Sequence, residues 1–114
     1  MNAQEIGAEL ERVENLINEK TLELSTLREA YQIAKAMFEN TFSRYLLETK
    51  AKNPDWTVQE VKAQAVNLAY VDKLEKIKKE SSYQKANNEL EALYTQHDGV
   101  KEMSYNLRQE MKRL

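Results

Sequence analysis

A spacing of apolar residues that alternates between four and three constrains this sequence more than any other feature. The alternating steps from Ile6 reach twelve positions, of which ten are apolar or aromatic. These positions are Ile6, Leu10, Val13, Ile17, Lys20, Leu24, Leu27, Tyr31, Ala34, Phe38, Thr41 and Tyr45. A repeat of 3.5 residues over this length is typical of a left-handed coiled coil, because it keeps one seam of the helix facing a partner helix. Since Asn2 and Glu5 form a capping box ahead of the seam, we predict a helix over about 3–52.

The turn that follows is predicted from one proline. Pro54 cannot continue a helix and moves the residue before it out of the α region. Thr57 and Glu60 form a second capping box that restarts the helix. Trp56 precedes the cap and can pack on Val61 as a hydrophobic staple, which accounts for Trp56 more simply than a ligand-stacking role. We therefore predict a turn over 53–57 and a second helix over about 58–113.

The second helix carries two apolar patterns that are out of phase. Its first part continues a helical face through Val58, Val61, Ala65, Val66, Tyr70, Leu74 and Ile77. Its second part has a seam at Tyr83, Ala86, Leu90, Leu93, His97, Val100, Ser104, Leu107, Met111 and Leu114. Ile77 and Leu90 are thirteen residues apart instead of the fourteen of two heptads, so a bend or a third helix is possible near residue 81. Gly99 is predicted to lie inside the helix, with a turn at Asp98–Gly99 as the alternative.

These features predict an all-α fold. With two glycines, one proline and no cysteine, the chain has few turn residues for short strands and no means of forming a disulfide. The short turn makes the two helices antiparallel neighbours, so 1–114 is predicted to be a single domain, a long antiparallel helical hairpin or coiled coil. A lone hairpin leaves apolar surface exposed to water, which predicts that the chain forms a homo-oligomer. The seam residues expected to form the core or the oligomer interface are Leu10, Ile17, Leu24, Leu27, Tyr31, Phe38, Leu90, Leu93 and Leu107.

The residue inventory argues against an enzyme. His97 is the one histidine, and no partner stands at the spacing that zinc or di-iron helix motifs require. Neither glycine lies in a phosphate-binding loop, and no serine has a residue arranged to activate it. His97 falls on the seam, where a polar residue more often fixes register than binds a ligand. We expect no catalytic residue, no metal site and no cofactor.

The small net charge of −2 hides an uneven distribution. Residues 1–40 hold eight acids and four bases, 41–85 hold six acids and nine bases, and 86–114 hold five acids and four bases, giving −4, +3 and −1. The basic middle also contains Phe42, Tyr45, Trp56, Tyr70 and Tyr83. Lysines that follow a phosphate backbone and aromatics that stack bases are what sequence-independent binding of single-stranded DNA requires. An ordinary solvated helix face is the alternative, since Glu75 and Glu80 interrupt the lysines.

Four segments together carry a family resemblance: 34–36 (Ala-Lys-Ala), 57–65 (from Thr57), 82–86 (from Ser82) and 103–111 (from Met103). They resemble small helical proteins of the replication and recombination regions of tailed bacteriophages, and the pattern is distantly similar to UvsY-type recombination mediators. The resemblance covers most of the chain from about residue 25. This chain is less basic than is usual for that family and ends at Leu114.

The resemblance implies a helical oligomer that binds single-stranded DNA and helps to load a recombinase onto strands covered by single-strand-binding protein, in the cytoplasm of a bacterial host. By position, the DNA-contacting residues would be Lys50, Lys52, Lys62, Lys73, Lys76 and Lys79, with Arg108, Lys112 and Arg113 as a second set. Two other functions fit the residues: a structural or adaptor coiled coil of a phage that binds only protein, and an inhibitor of a host enzyme. No stretch approaches the roughly 18 apolar residues of a membrane span, so no membrane partner is expected.

Overall fold

The structure, a computed structural model, describes all 114 residues and contains three helices and no strand. Helix α1 spans Ala3–Lys52, α2 spans Val58–Leu68 and α3 spans Tyr70–Arg113. The chain divides into two compact units. Unit 1 consists of Met1–Ser25 and Gln84–Leu114, and unit 2 consists of Thr26–Tyr83. None of the helices is both long and apolar enough to cross a bilayer.

Within each unit the first and last helices run antiparallel. In unit 1, Glu9 contacts Gln96 and Lys20 contacts Glu89. Residue numbers therefore increase along α1 in the direction in which they decrease along α3. In unit 2, Phe38 contacts Lys76 while Thr41 contacts Asp72. The predicted all-α fold with helical-hairpin packing is confirmed. The prediction of a single domain stays a prediction.

The core of unit 1 is the seam predicted from the 3.5-residue repeat. The buried residues of unit 2 are Ala34 of that seam and four residues outside it, Thr49, Val61, Ala65 and Ala69. Every one of the twelve α1 positions is buried or half-buried, including the polar members Lys20 and Thr41. In unit 1, Val13 is completely buried, and Leu24, Ala86 and Leu90 are at most 8% exposed. All nine residues expected to form the core or the oligomer interface are likewise buried or half-buried. Met111 and Leu114, the last two positions of the predicted second seam, are exposed.

The first helix begins as its capping residues predict. The Asn2 side-chain carbonyl accepts a hydrogen bond from the Glu5 amide at 2.8 Å, and the Asn2 amide group donates to the Glu5 carboxylate at 3.0 Å. At the start of α2, the Thr57 hydroxyl accepts from the Glu60 amide at 3.2 Å. Both caps satisfy amides that no helical carbonyl can reach.

The turn between α1 and α2 is held by the side chains of Lys50, in the last turn of α1, and Asn53, the first residue of the turn. Asn53 donates from its side chain to the Thr49 carbonyl at 3.1 Å. The Lys50 ammonium donates to the carbonyls of Pro54 and Trp56, at 2.8 Å and 3.1 Å. Trp56 itself is half-buried. These bonds tie the turn to the last residues of α1.

The irregularity of the second half lies at Ala69 and not near residue 81. The Ala69 amide donates to the Ala65 carbonyl and the Ala69 carbonyl accepts from the Lys73 amide, at 2.9 Å and 3.0 Å. The helical hydrogen bonds therefore continue on both sides of this one buried residue. Ser81 and Ser82 lie inside α3, where the Ser82 hydroxyl donates to the Lys78 carbonyl.

The phase difference between Ile77 and Leu90 has a different explanation. Lys76, fourteen residues before Leu90, takes the seam position and is half-buried, while Ile77 is 49% exposed. Tyr70 and Leu74 are also exposed, at 56% and 46%. Of the seven residues of the predicted face, Val61 and Ala65 are buried and Val66 is half-buried, whereas Val58, Tyr70, Leu74 and Ile77 are exposed within the chain. The helix keeps the heptad register of its second part and turns the apolar stripe away from α1.

Gly99 lies within α3, as predicted, and gives a direct test of the helix there. A methyl group added at Gly99 meets no atom within 4 Å. Since alanine favours a helix over glycine by about 1 kcal/mol, Gly99→Ala is expected to raise the free energy of unfolding by that amount. Urea denaturation followed by circular dichroism would measure it. A loss of stability would show that residue 99 is in the alternative turn.

Candidate interaction surfaces

The six lysines predicted to contact DNA all belong to unit 2, but they have different surroundings. Lys50 is bound to the turn carbonyls described above, so its charge is held against the backbone. Lys52 and Lys62 are exposed and make no ion pair. Lys52 lies in the last turn of α1, where a cation is favoured by the helix dipole.

The other three lysines lie on α3. Lys76 places its ammonium 5.3 Å from the centre of the Phe38 ring, a cation–π contact. Lys79 pairs with Glu75 at 3.6 Å on the same helix. Lys73 is half-buried and without an ion pair. The six lysines therefore form no continuous exposed row, and their role in binding DNA stays a prediction.

Most of the aromatic residues near these lysines are already packed within unit 2. Tyr83 stacks on Tyr31 with ring centres 6.1 Å apart and planes 2° from parallel. Phe42 stacks on Phe38 at 5.8 Å. Of the five aromatics in the basic segment, Tyr70 alone is in the exposed class. A base would therefore find one open ring in unit 2.

The second basic set lies at the end of α3 in unit 1. Lys112 and Arg113 are exposed in its last turn. Arg108 borders a shallow cavity that Leu10, Glu14 and Tyr105 also line. Glu14 brings one negative charge to this cavity, while Arg108 and Lys101 bring two positive charges, so a phosphate there would meet both signs.

Polar contacts cross between α1 and α3 in unit 1. Lys20, with its side chain 19% exposed, donates to Glu23 at 2.8 Å and to Glu89 at 2.6 Å. The hydrogen bonds to Glu23 and then to Glu89 raise the pKa of Lys20, and the hydrogen bond from Lys20 lowers the pKa of Glu89. The hydrogen bond from Arg12 lowers the pKa of Glu9, which also accepts from Gln96 at 3.3 Å. These contacts help to fix which residues of α1 and α3 face each other.

His97, the seam histidine, takes part in the same pattern. Its Nε2 atom lies 3.1 Å from a carboxylate oxygen of Glu14 on α1. The His97 side chain is 14% exposed. No group of three or more histidine, aspartate or glutamate side chains in the chain is arranged to hold a metal ion. A contact that joins two helices is the register role expected of a polar seam residue.

The contact between Lys20 and Glu89 predicts a dependence of stability on pH. Because the pKa of Glu89 is lowered in the folded chain, its contribution is present above the ordinary value of 4.5 and is lost as pH falls through the folded value. The raised pKa of Lys20 acts only in the alkaline range. Urea midpoints from neutral pH into acid should therefore show wild type losing its advantage over Lys20→Met below pH 4.5.

The matched control for this experiment is Lys101→Met, since Lys101 is exposed and makes no ion pair. Its difference from wild type should stay small and constant across the same range. An advantage over Lys20→Met that persists unchanged in acid would contradict the prediction.

The surface that the sequence reasoning did not single out is an apolar groove in unit 2. Ala30, Ile33, Ala34 and Met37 of α1 form its floor, and Asp72, Glu75 and Lys79 of α3 form its other wall. Ile33 and Met37 are each 55% exposed. Their spacing beside the seam was visible in the sequence as a widening of the apolar face. What the pattern could not show is that α3 brings carboxylates to this wall.

No protein-family model matches the sequence, and the comparisons with curated proteins and with solved structures gave no match. The resemblance to UvsY-type mediators therefore stays a prediction.

Proposed function

We propose that this protein is a non-enzymatic helical protein that works by associating with copies of itself. The observation that supports this most directly is the distribution of exposed apolar side chains. Of sixteen large apolar residues that are exposed, nine belong to unit 2. Five of those nine lie within 68–77. Concentrated apolar surface of this kind marks a site of protein association.

The total accessible surface supports the same proposal. The chain exposes 8520 Å², whereas a compact monomer of 13.3 kDa exposes about 6,500 Å². The excess of about 2,000 Å² exceeds the roughly 800 Å² that each partner contributes to a standard protein interface. A chain that leaves so much surface in water has area available for partners.

Light scattering coupled to gel filtration tests self-association. We expect a mass of at least two copies at micromolar concentration, falling toward the monomer on dilution. A monomer across the whole range would contradict the proposal. The structural or adaptor role, in which the same surfaces bind a different protein, would then be the better explanation.

Binding of single-stranded DNA is a second candidate, favoured by the separation of charge between the two units. Unit 2 holds ten basic and eight acidic residues, a net charge of +2, and unit 1 holds seven basic and eleven acidic residues, a net charge of −4. Lys52 and Lys62 in unit 2 are exposed and have no ion pair, so they are the best placed to meet phosphates. On this proposal the oligomer would act as a UvsY-like mediator in the bacterial cytoplasm, with a recombinase and single-strand-binding protein as partners.

Fluorescence anisotropy with labelled oligo-dT tests this candidate. Affinity should fall with salt, and Lys52→Glu combined with Lys62→Glu should weaken binding at low salt by about tenfold and reduce the salt slope by about 0.7 for each lost phosphate contact. Lys35→Glu is the matched control, since Lys35 is an exposed lysine of unit 2 outside both predicted sets, and it should bind much more like wild type. Absence of binding at low ionic strength would exclude the DNA-binding role.

A further inference from the structure

Unit 2 carries two exposed apolar surfaces on different sides of α3. One is the groove defined above. The other, called here the α3 stripe, consists of Tyr70, Leu74 and Ile77, whose spacing of four and three places them on one face of the helix. Glu75 lines the groove, and Ile77 comes two residues after it. Ile77 therefore lies about 200° around the helix from Glu75. One surface therefore does not cover the other within the chain.

The two surfaces differ in the sign of the charges beside them. The groove wall carries Asp72 and Glu75, and Glu29 lies one helical turn before Ile33 of the floor. Lys79 on the same wall pairs with Glu75, so the charges of these two residues offset each other and Asp72 and Glu29 leave the groove rim negative. The α3 stripe has mainly basic neighbours: Lys73 and Lys78 flank it, against one acid, Glu80, which lies three residues after Ile77. Opposite charges around two apolar surfaces favour contact between them over contact of either surface with itself.

We propose that the groove of one copy receives the α3 stripe of a second copy. This rests on the proposed self-association and specifies its contact. Each chain then uses two different surfaces, one as the receiver and one as the donor, which is a heterologous contact. Such a contact continues from copy to copy until it closes into a ring or grows as a filament. Two standard interfaces would bury about 1,600 Å² of each chain, out of the 8520 Å² that the chain exposes.

The test uses one variant for each surface. Ile33→Asp with Met37→Asp alters the groove, and Leu74→Asp with Ile77→Asp alters the stripe. All four residues are 46–55% exposed, so the substitutions are expected to leave the helices folded, which circular dichroism checks. Each variant alone should associate at least about thirtyfold more weakly than wild type, since both lose apolar anchors. Wild type should reach a mass above two copies.

Mixing the two variants decides the geometry. The groove variant keeps an intact stripe and the stripe variant keeps an intact groove, so a one-to-one mixture should form a dimer and stop there. Two results would show that the contact joins identical surfaces and would overturn the inference. In the first, both variants are monomers and remain monomers when mixed. In the second, only one of the two variants loses association. If both variants associate as strongly as wild type, the interface lies elsewhere and the inference is overturned. A wild type that is monomeric overturns the proposed function itself.

Charge exchange provides a second test in case an aspartate variant fails to fold. Glu29→Lys with Glu75→Lys makes the groove rim basic, and Lys73→Glu with Lys78→Glu makes the stripe flanks acidic. Each variant alone places like charges at the contact and should associate less than wild type. Mixed, they restore opposite charges at every contact, and assembly should return. Continued separation in the mixture would overturn the inference.

Discussion

Val13→Asp is expected to destabilise the chain by at least about 4 kcal/mol, which would abolish most of the cooperative folding of unit 1. Val13 is completely buried in the seam between α1 and α3. A carboxylate at this position would lose its water, and the adjacent seam positions on α1, Leu10 and Ile17, are apolar and offer it no hydrogen bond. Urea denaturation followed by circular dichroism would show the loss as a lower midpoint and reduced helix content at zero urea.

Leu22→Asp is the matched control for Val13→Asp. Leu22 belongs to the same helix and the same unit, but it is 74% exposed. The same aspartate there should change the free energy of unfolding by about 0.5 kcal/mol or less. If the two variants were equally stable, Val13 would not face α3 and the predicted register of the seam would be wrong.

Ala65→Leu is expected to destabilise unit 2 by about 2 kcal/mol. Ala65 is completely buried on α2, so three additional carbon atoms must displace neighbouring side chains. The usual gain from a larger apolar residue is absent, because no open space lies beside a fully buried position in a well-packed core. Thermal unfolding should show a lower melting temperature with little change in helix content.

Ala63→Leu separates overpacking from helix propensity. Ala63 is on the same helix, has the same side chain and is exposed. Alanine and leucine have similar helix propensities, so the substitution there should be nearly neutral. Equal destabilisation by both variants would mean that the effect arises from the helix itself and not from its packing.

The first helix illustrates how much of the fold local pattern could predict. The spacing from Ile6 to Tyr45 indicated which side of α1 would be covered, and every one of those positions is buried or half-buried. Lys20 and Thr41 were included by position in spite of their polarity, and each finds a partner across the seam, Glu89 and Asp72. A repeat of 3.5 residues specifies a face because it matches the geometry of helix packing, whatever the partner is.

The second helix shows where the same reasoning fails. An apolar stripe through Tyr70, Leu74 and Ile77 predicts a buried face, yet the buried side of α3 at this level includes Lys76. The continuous helix allows one register at a time, and the positions from Tyr83 to Leu107 hold the register that Lys76 shares. Lys76 can accept this position because its ammonium rests on the Phe38 ring. The spacing shows that the two stretches are out of phase, but it does not decide which of them sets the register of the packed helix.

The candidate DNA-binding lysines show the same limit for function. Lys50 and Lys52 are two residues apart near the end of α1, and nothing in their spacing distinguishes them. In the folded chain Lys50 binds the carbonyls of Pro54 and Trp56, whereas Lys52 remains exposed. A lysine beside a turn can serve a phosphate or its own backbone, and which of the two it does depends on where the turn places the carbonyls.

Sequence alone determined the first helix, the capped turn and the α1 seam, because capping, proline geometry and heptad spacing act over a few residues or along one helix. The tertiary structure decided the rest: that Ala69 and not residue 81 is the irregular point, that Lys76 replaces Ile77 in the seam, and that Asp72 and Glu75 line an apolar groove. These features depend on how α3 is rotated against α1. That rotation is set by the packing of residues far apart in the chain, which no local pattern contains.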